Sequence, residues 1–332
     1  MIYSWQTEHW SQISARRGKL PHALLIHGRS GLGKSALALE LAGSLLCENV
    51  GVDQLACQKC PSCTWFEQGN HPDFRLVQPE SHAADSDDEG APAKKEKKKS
   101  DQIRVEQVRA LESFLAVGTH RGGLRVILVN PAEAMNVITQ NALLKSLEEP
   151  GPSTLFLLVT SRPSRLLATI RSRCQSLSIS PPDTAVAIGW LKGQGVADPE
   201  GALRMAGGAP LAALEGASAD RVRSEFIVAL RQADCDPSAL AQRCEALDPA
   251  LIVGWLQRWL FDLTAVKAGL EPRYHRDSCE FLVAQAHRAG IRDLFVYSRE
   301  LAEAKTLASH PLNPKLFFED LLVRYARATG NA

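Results

Sequence analysis

Two groups of residues carry chemistry by their type and spacing. Gly28-Arg29-Ser30-Gly31-Leu32-Gly33-Lys34-Ser35 satisfies G-x-x-x-x-G-K-[ST] in full. Glycines at those points let backbone N–H groups turn inward around phosphate oxygens, and a helix starting at Lys34 presents its positive end to them. Lys34 is placed to reach β- and γ-phosphates, and the Ser35 hydroxyl to hold Mg²⁺. The cradle therefore offers a place for ATP and Mg²⁺. The second group is Cys47, Cys57, Cys60 and Cys63, spaced C-x9-C-x2-C-x2-C. Two-residue gaps let thiolates converge on one ion, and four sulfurs close a tetrahedral Zn²⁺ shell with no position left for water. That favours structural zinc over catalytic zinc. An iron–sulfur cluster is a weaker alternative because the first gap is long, and unligated thiols are a third.

Holding a triphosphate is not the same as cutting it. A P-loop ATPase needs an acid at the tip of a neighbouring strand and a group that orients the attacking water. The apolar run Leu124–Val129 is the natural neighbour, and Asn130-Pro131-Ala132-Glu133 follows it. Asn130 lacks the negative charge, Pro131 carries no base, and Glu133 lies three residues on, where it is expected to point elsewhere. The cutting chemistry is missing by this reading.

The elements that must position these groups follow from hydrophobic periodicity. Ala23–His27, Leu124–Val129 and Thr154–Val159 read as buried strands, with helical patterns over Lys34–Cys47 and Val137–Glu149. Strands alternating with helices indicate a mostly parallel sheet covered on both faces. Glu80–Asp101 has no apolar side chain larger than Ala and runs from an acidic half to a lysine half; it is read as a mobile surface loop. After Pro181-Pro182 the pattern is helical. Leu251, Ile252, Trp255, Leu256, Trp259, Leu260 and Leu263 fall on one helix face, so the two tryptophans read as core. Further helices fit Asp277–Ala289, Arg292–Ala308 and Asn313–Ala328.

Composition narrows the function classes. The chain has 332 residues, 45% hydrophobic and 23% charged, figures of a soluble globular protein too long for one core. Its 38 Lys+Arg nearly cancel 37 Asp+Glu, which argues against an autonomous nucleic-acid binder, since those carry a clear basic excess. No run approaches a membrane span, and the start lacks the pattern of a secretory signal. A cytoplasmic address is expected.

Several segments then carry a resemblance. Pro21-His-Ala-Leu-Leu-Ile-His-Gly28, the cysteine cluster, Thr139-Gln-Asn-Ala-Leu-Leu-Lys-Ser-Leu-Glu-Glu-Pro150, Leu166–Cys174 and Leu312–Leu322 resemble the AAA+ clamp-loader subunits of bacterial DNA polymerase III, and among them the delta-prime family. The resemblance implies an α/β P-loop AAA+ domain over residues 1–180, with a zinc module at about 47–79 and the charged loop at about 80–101 inserted in it. A small helical lid over 181–213 and an all-α collar over 214–332 would follow. The implied work is helping to load the sliding clamp onto primed DNA. The implied partners are ATPase motor subunits and the clamp-opening subunit in a hetero-pentamer, with clamp and DNA met through the assembly.

Within that resemblance, Arg173 of Ser172-Arg173-Cys174 becomes the candidate arginine finger, acting in trans on a neighbour's ATP. Such a finger supplies on the order of 10³–10⁵ in rate. The plain alternative is a surface arginine paired to a local carboxylate. Thr160 falls at the family's polar sensor, and a capping threonine explains it equally well. Pro210 stands where the lid's sensor arginine is expected, so nucleotide at Lys34 would couple weakly to the lid. The chain is read as a subunit that does not hydrolyse ATP alone, against the alternative of an active motor subunit.

Overall fold

The computed structural model describes residues 2–82, 100–120, 123–231, 236–308, 310 and 312–330. It divides into two compact units, residues 1–190 with 208–212, and residues 191–207 with 213–332.

The first unit is built on five parallel strands: β1 (Ala23–His27), β2 (Phe74–Val77), β3 (Arg125–Val129), β4 (Thr154–Thr160) and β5 (Gln175–Ser178), in the order β2-β3-β4-β1-β5. Two of the three interior strands, β3 and β4, are buried along their whole length, and β1 is buried except at His27. That is why they read as continuous apolar runs. Alternate residues then feed two separate cores. Leu24, Ile26, Val126, Leu128, Leu155 and Leu157 meet Leu37, Ala38 and Leu41 of α2 (Lys34–Leu46) on one face. On the other, Leu25, Ile127, Val129, Phe156 and Leu158 meet Val108 and Leu111 of α4 (Val105–Ala116) and Leu143 and Leu147 of α5 (Val137–Glu148). Each such fully buried Leu or Ile contributes about 1.5–3 kcal/mol. The remaining helices of this unit include α1 (Thr7–Ser14), α3 (Pro61–Glu67) and α6 (Ala168–Arg173).

The register brings three strand tips into line. Leu25 pairs with Leu158 and His27 with Thr160, while Val129 also pairs with Leu158. The loops leaving β1, β3 and β4 therefore open side by side at the carboxyl edge of the sheet, where α/β proteins place ligands. Of the charged loop, residues 83–99 lie outside the described residues. Its two ends are clasped: Ser81 N–H donates to the Ser100 carbonyl at 3.2 Å, and Arg104 pairs with Glu80 at 3.0 Å.

The second unit is helical among its described residues. Its longest helix, Pro249–Lys267, starts on an Asp248 cap with proline in the first turn, a strong start signal. Trp255 and Trp259 are buried, and Trp259 donates its indole N–H to the Tyr325 hydroxyl at 2.8 Å. Leu251 departs from expectation and is 43% exposed, because it sits in the first turn at the margin of the apolar stripe. Helices Cys279–Arg288, Ile291–Leu307 and Pro314–Thr329 pack on this core. No described helix is long and apolar enough to cross a membrane.

Candidate functional site: a phosphate cradle and a cysteine cluster

The loop between β1 and α2 turns as its glycines dictate. Gly28 has φ +153° and Gly33 φ +80°, and a Cβ at Gly28 would fall 2.3 Å from the Ile179 carbonyl oxygen. At Gly33 a Cβ would fall 2.7 Å from the Tyr3 ring. Only glycine fits at either place. Arg29 and Ser30 stand exposed at the loop tip, Gly31 is half-buried, and Leu32 is buried beneath it. The Leu32 carbonyl accepts hydrogen bonds from Trp5 Nε1 at 3.1 Å and Gln6 Nε2 at 2.9 Å. Tyr3 stacks on Trp5, and Trp190 meets both rings edge-on. These aromatic neighbours escaped sequence reasoning, since nothing in Tyr3-Ser4-Trp5-Gln6 signals a distant loop.

Lys34 is buried, and its ammonium donates to the Arg29 carbonyl at 2.6 Å and the Ser161 hydroxyl at 3.0 Å. Burial lowers its pKa, and the Glu133 charge pulls it back up. Ser35 donates its hydroxyl to Asn130 Oδ1 at 3.1 Å. Asn130 therefore does face the cradle at Ser35, as a neutral acceptor. Glu133 corrects an expectation. The short 3₁₀ turn Ala132–Ala134 folds the chain back over the strand tip, and Glu133 Oε1 accepts the Ser161 N–H at 2.9 Å.

Thr160 and Ser161 divide their duties by strand alternation. Thr160 is fully buried and its hydroxyl accepts the Arg162 N–H at 3.0 Å. Ser161 is the side chain that faces Lys34. The residue was missed because one position at a strand end decides which face a side chain takes.

Arg173 closes α6. Its Nη2 meets Glu148 Oε1 at 2.6 Å and its Nη1 donates to the Thr169 carbonyl at 3.0 Å. The guanidinium is thus held at the end of α5, with its side chain 35% exposed.

The four cysteines converge. Cys47 ends α2 and Cys60 caps α3, where Pro61 takes the first helical position. The four sulfurs lie within 4.8 Å of one another, with Cys47–Cys60 at 4.0 Å and Cys57–Cys63 at 3.9 Å. A tetrahedral shell with metal–sulfur bonds of about 2.3 Å needs sulfurs about 3.8 Å apart, so the donor set fits a metal ion. Backbone N–H groups of Cys57 and Cys63 point at Cys47 Sγ and Cys60 Sγ at 3.3 and 3.4 Å, as thiolates require. Backbone donors from Lys59 and Cys60 bring the Cys57 thiol down to about 6, while burial pushes Cys63 up to about 12. A cation is what would let all four ionise together.

Known proteins resemble this chain over most of its length. Residues 5–183 match the family described as DNA polymerase III, delta subunit, and residues 219–327 match DNA polymerase III, delta subunit, C terminal. The DNA polymerase III subunit delta' of Pseudomonas aeruginosa is 34% identical over 99% of this chain and 98% of its own. That of Yersinia pestis is 31% identical over 98% of this chain and 96% of its own. Among solved structures, a DNA polymerase III gamma subunit-related protein from Thermotoga maritima aligns at 17% identity with a TM-score of 0.49, covering 96% of this chain and 99% of that one.

Proposed function

The chain belongs to the DNA polymerase III delta-prime family, and from that premise we propose that it is a clamp-loader subunit which holds nucleotide without hydrolysing it and lends Arg173 to a neighbour. The observation that carries the reading is the Ser35–Asn130 pair at the β3 tip. In a hydrolysing P-loop site that strand tip presents an anion to the Mg²⁺ shell. Here the same place holds an amide, and the next residue, Pro131, has no base. A complete phosphate loop beside an uncharged strand tip fits binding without turnover.

Arg173 fits the second half of the proposal through its chemistry. A planar, permanently charged guanidinium suits the dispersed charge of a transferring phosphoryl group. Its partner Glu148 is half-exposed, so the pair is weak and readily exchanged for a stronger anion. We further propose that the cysteine cluster holds structural Zn²⁺, tying the end of α2 to the start of α3. Residues 181–213 are read as the lid and 214–332 as the collar. The protein would work in the cytoplasm with motor subunits, the clamp-opening subunit, the clamp and primed DNA. Reconstitution of the loader tests the proposal: Arg173→Ala should lower DNA-stimulated ATP turnover while assembly survives, and unchanged turnover refutes the finger.

A further inference from the structure

Glu133 has no part in the reading above, yet it lies inside the cradle. One carboxylate oxygen accepts the Ser161 N–H at 2.9 Å, while the Ser161 hydroxyl accepts from the Lys34 ammonium at 3.0 Å. The carboxylate and the ammonium therefore bracket a single serine. The other oxygen, Oε2, is buried and has no hydrogen-bond partner. Such an atom is costly to bury unless a cation stands close by. Lys34, on the other side of Ser161, supplies that cation, and the Glu133 charge acts against the effect of burial on the lysine.

The side of the cradle matters. The Mg²⁺ side is marked by the Ser35 hydroxyl, which is engaged by Asn130. Glu133 lies instead on the Lys34 side, where the β- and γ-phosphates would come. An acid there is not a displaced metal ligand. It would repel the terminal phosphates and offset the charge of the lysine that should attract them.

We propose that Glu133 is the affinity-setting residue of the cradle, a carboxylate that competes with the triphosphate for Lys34 and keeps the site's hold on nucleotide weak. The proposal rests on the reading that the cradle takes a triphosphate. It yields a counter-intuitive sign, because removing an acid from a nucleotide site should tighten binding. In the family's setting, a subunit so tuned would stay folded and assembled whether or not nucleotide is present.

The test is calorimetric titration of the whole chain with ATP and Mg²⁺, using wild type, Glu133→Gln, Lys34→Ala and the double variant. Glu133→Gln should lower the Kd on the order of tenfold, the scale set by one partly screened unit charge, and Lys34→Ala should weaken binding in both backgrounds. Unchanged or weaker binding by Glu133→Gln, with Lys34→Ala still damaging, overturns the role of Glu133 and spares the cradle. Binding indifferent to Lys34→Ala, or absent from every variant, overturns the cradle reading and this proposal with it. Thermal unfolding of the nucleotide-free proteins gives an independent readout. Glu133→Gln should lower Tm, or prevent folding, when Lys34 is intact and cost little in the Lys34→Ala background, where no cation remains to be paired. Equal losses in both backgrounds would mean that Glu133 serves only the Ser161 N–H, and would refute the proposal.

Discussion

The Arg173–Glu148 pair yields a prediction whose two arms differ in size. The ion pair is 2.6 Å long, but its side chains are 35% and 49% exposed. Pairs of that kind are worth about 1 kcal/mol or less. Glu148→Gln should therefore change the stability of the isolated chain by less than about 1 kcal/mol. If freeing the guanidinium is part of the neighbour's reaction, the same change can raise turnover of the assembled loader by at most about fivefold, the equivalent of about 1 kcal/mol. Arg173→Ala loses the same small local pair but also the charge offered to the neighbour, which is worth on the order of 10³ or more in rate. Chemical denaturation of the single subunit and DNA-stimulated phosphate release by the reconstituted complex read the two arms. A large stability loss in both variants, with matching losses of turnover, would show that the pair is a local strut and refute the finger.

Two further outcomes follow from named contacts. Cys60→Ser should abolish stoichiometric zinc, measured by metal analysis of protein purified under reducing, chelator-free conditions; wild type lacking zinc under those conditions would contradict the four-cysteine assignment. In the helical unit, Asp262 is fully buried and accepts N–H bonds from Arg273, Tyr274 and His275 and the His275 ring Nδ1 at 2.6–3.1 Å. Burial works against its charge, but the His275 bond and the backbone donors outweigh it and hold the carboxyl below its usual range. Its contribution is therefore present at neutral pH and lost as pH falls below the ordinary carboxylate range. Asp262→Asn should cost about 2–4 kcal/mol at pH 7, and the gap to wild type should narrow in acid. A gap constant with pH would contradict the assignment.

Legibility divided along physical lines. β1, β3 and β4 could be read because strands buried on both faces are apolar along most of their length, with polar residues such as Arg125, Thr154 and Thr160 confined to their ends. The edge strands could not. β2 is buried only at Phe74 and Val77, and β5 is Gln175-Ser-Leu-Ser178 with three exposed residues. Such short segments carry no periodic signal. In the site, everything set by spacing was legible: the loop Gly28–Ser35, the four cysteines and the neutral Asn130. What depended on the chain returning through space was not. Glu133 reaches the cradle through a 3₁₀ turn, Ser161 takes the face that Thr160 leaves, and Trp5 meets Leu32 across 27 positions. No local pattern encodes such meetings.

The most direct test of the central claim is steady-state phosphate release by the purified chain alone, with saturating ATP and Mg²⁺ followed over hours. A cradle whose strand tip offers Asn130 and Pro131 should release no phosphate above the level of Lys34→Ala. Sustained turnover, abolished by Lys34→Ala, would contradict the account and make this chain a motor.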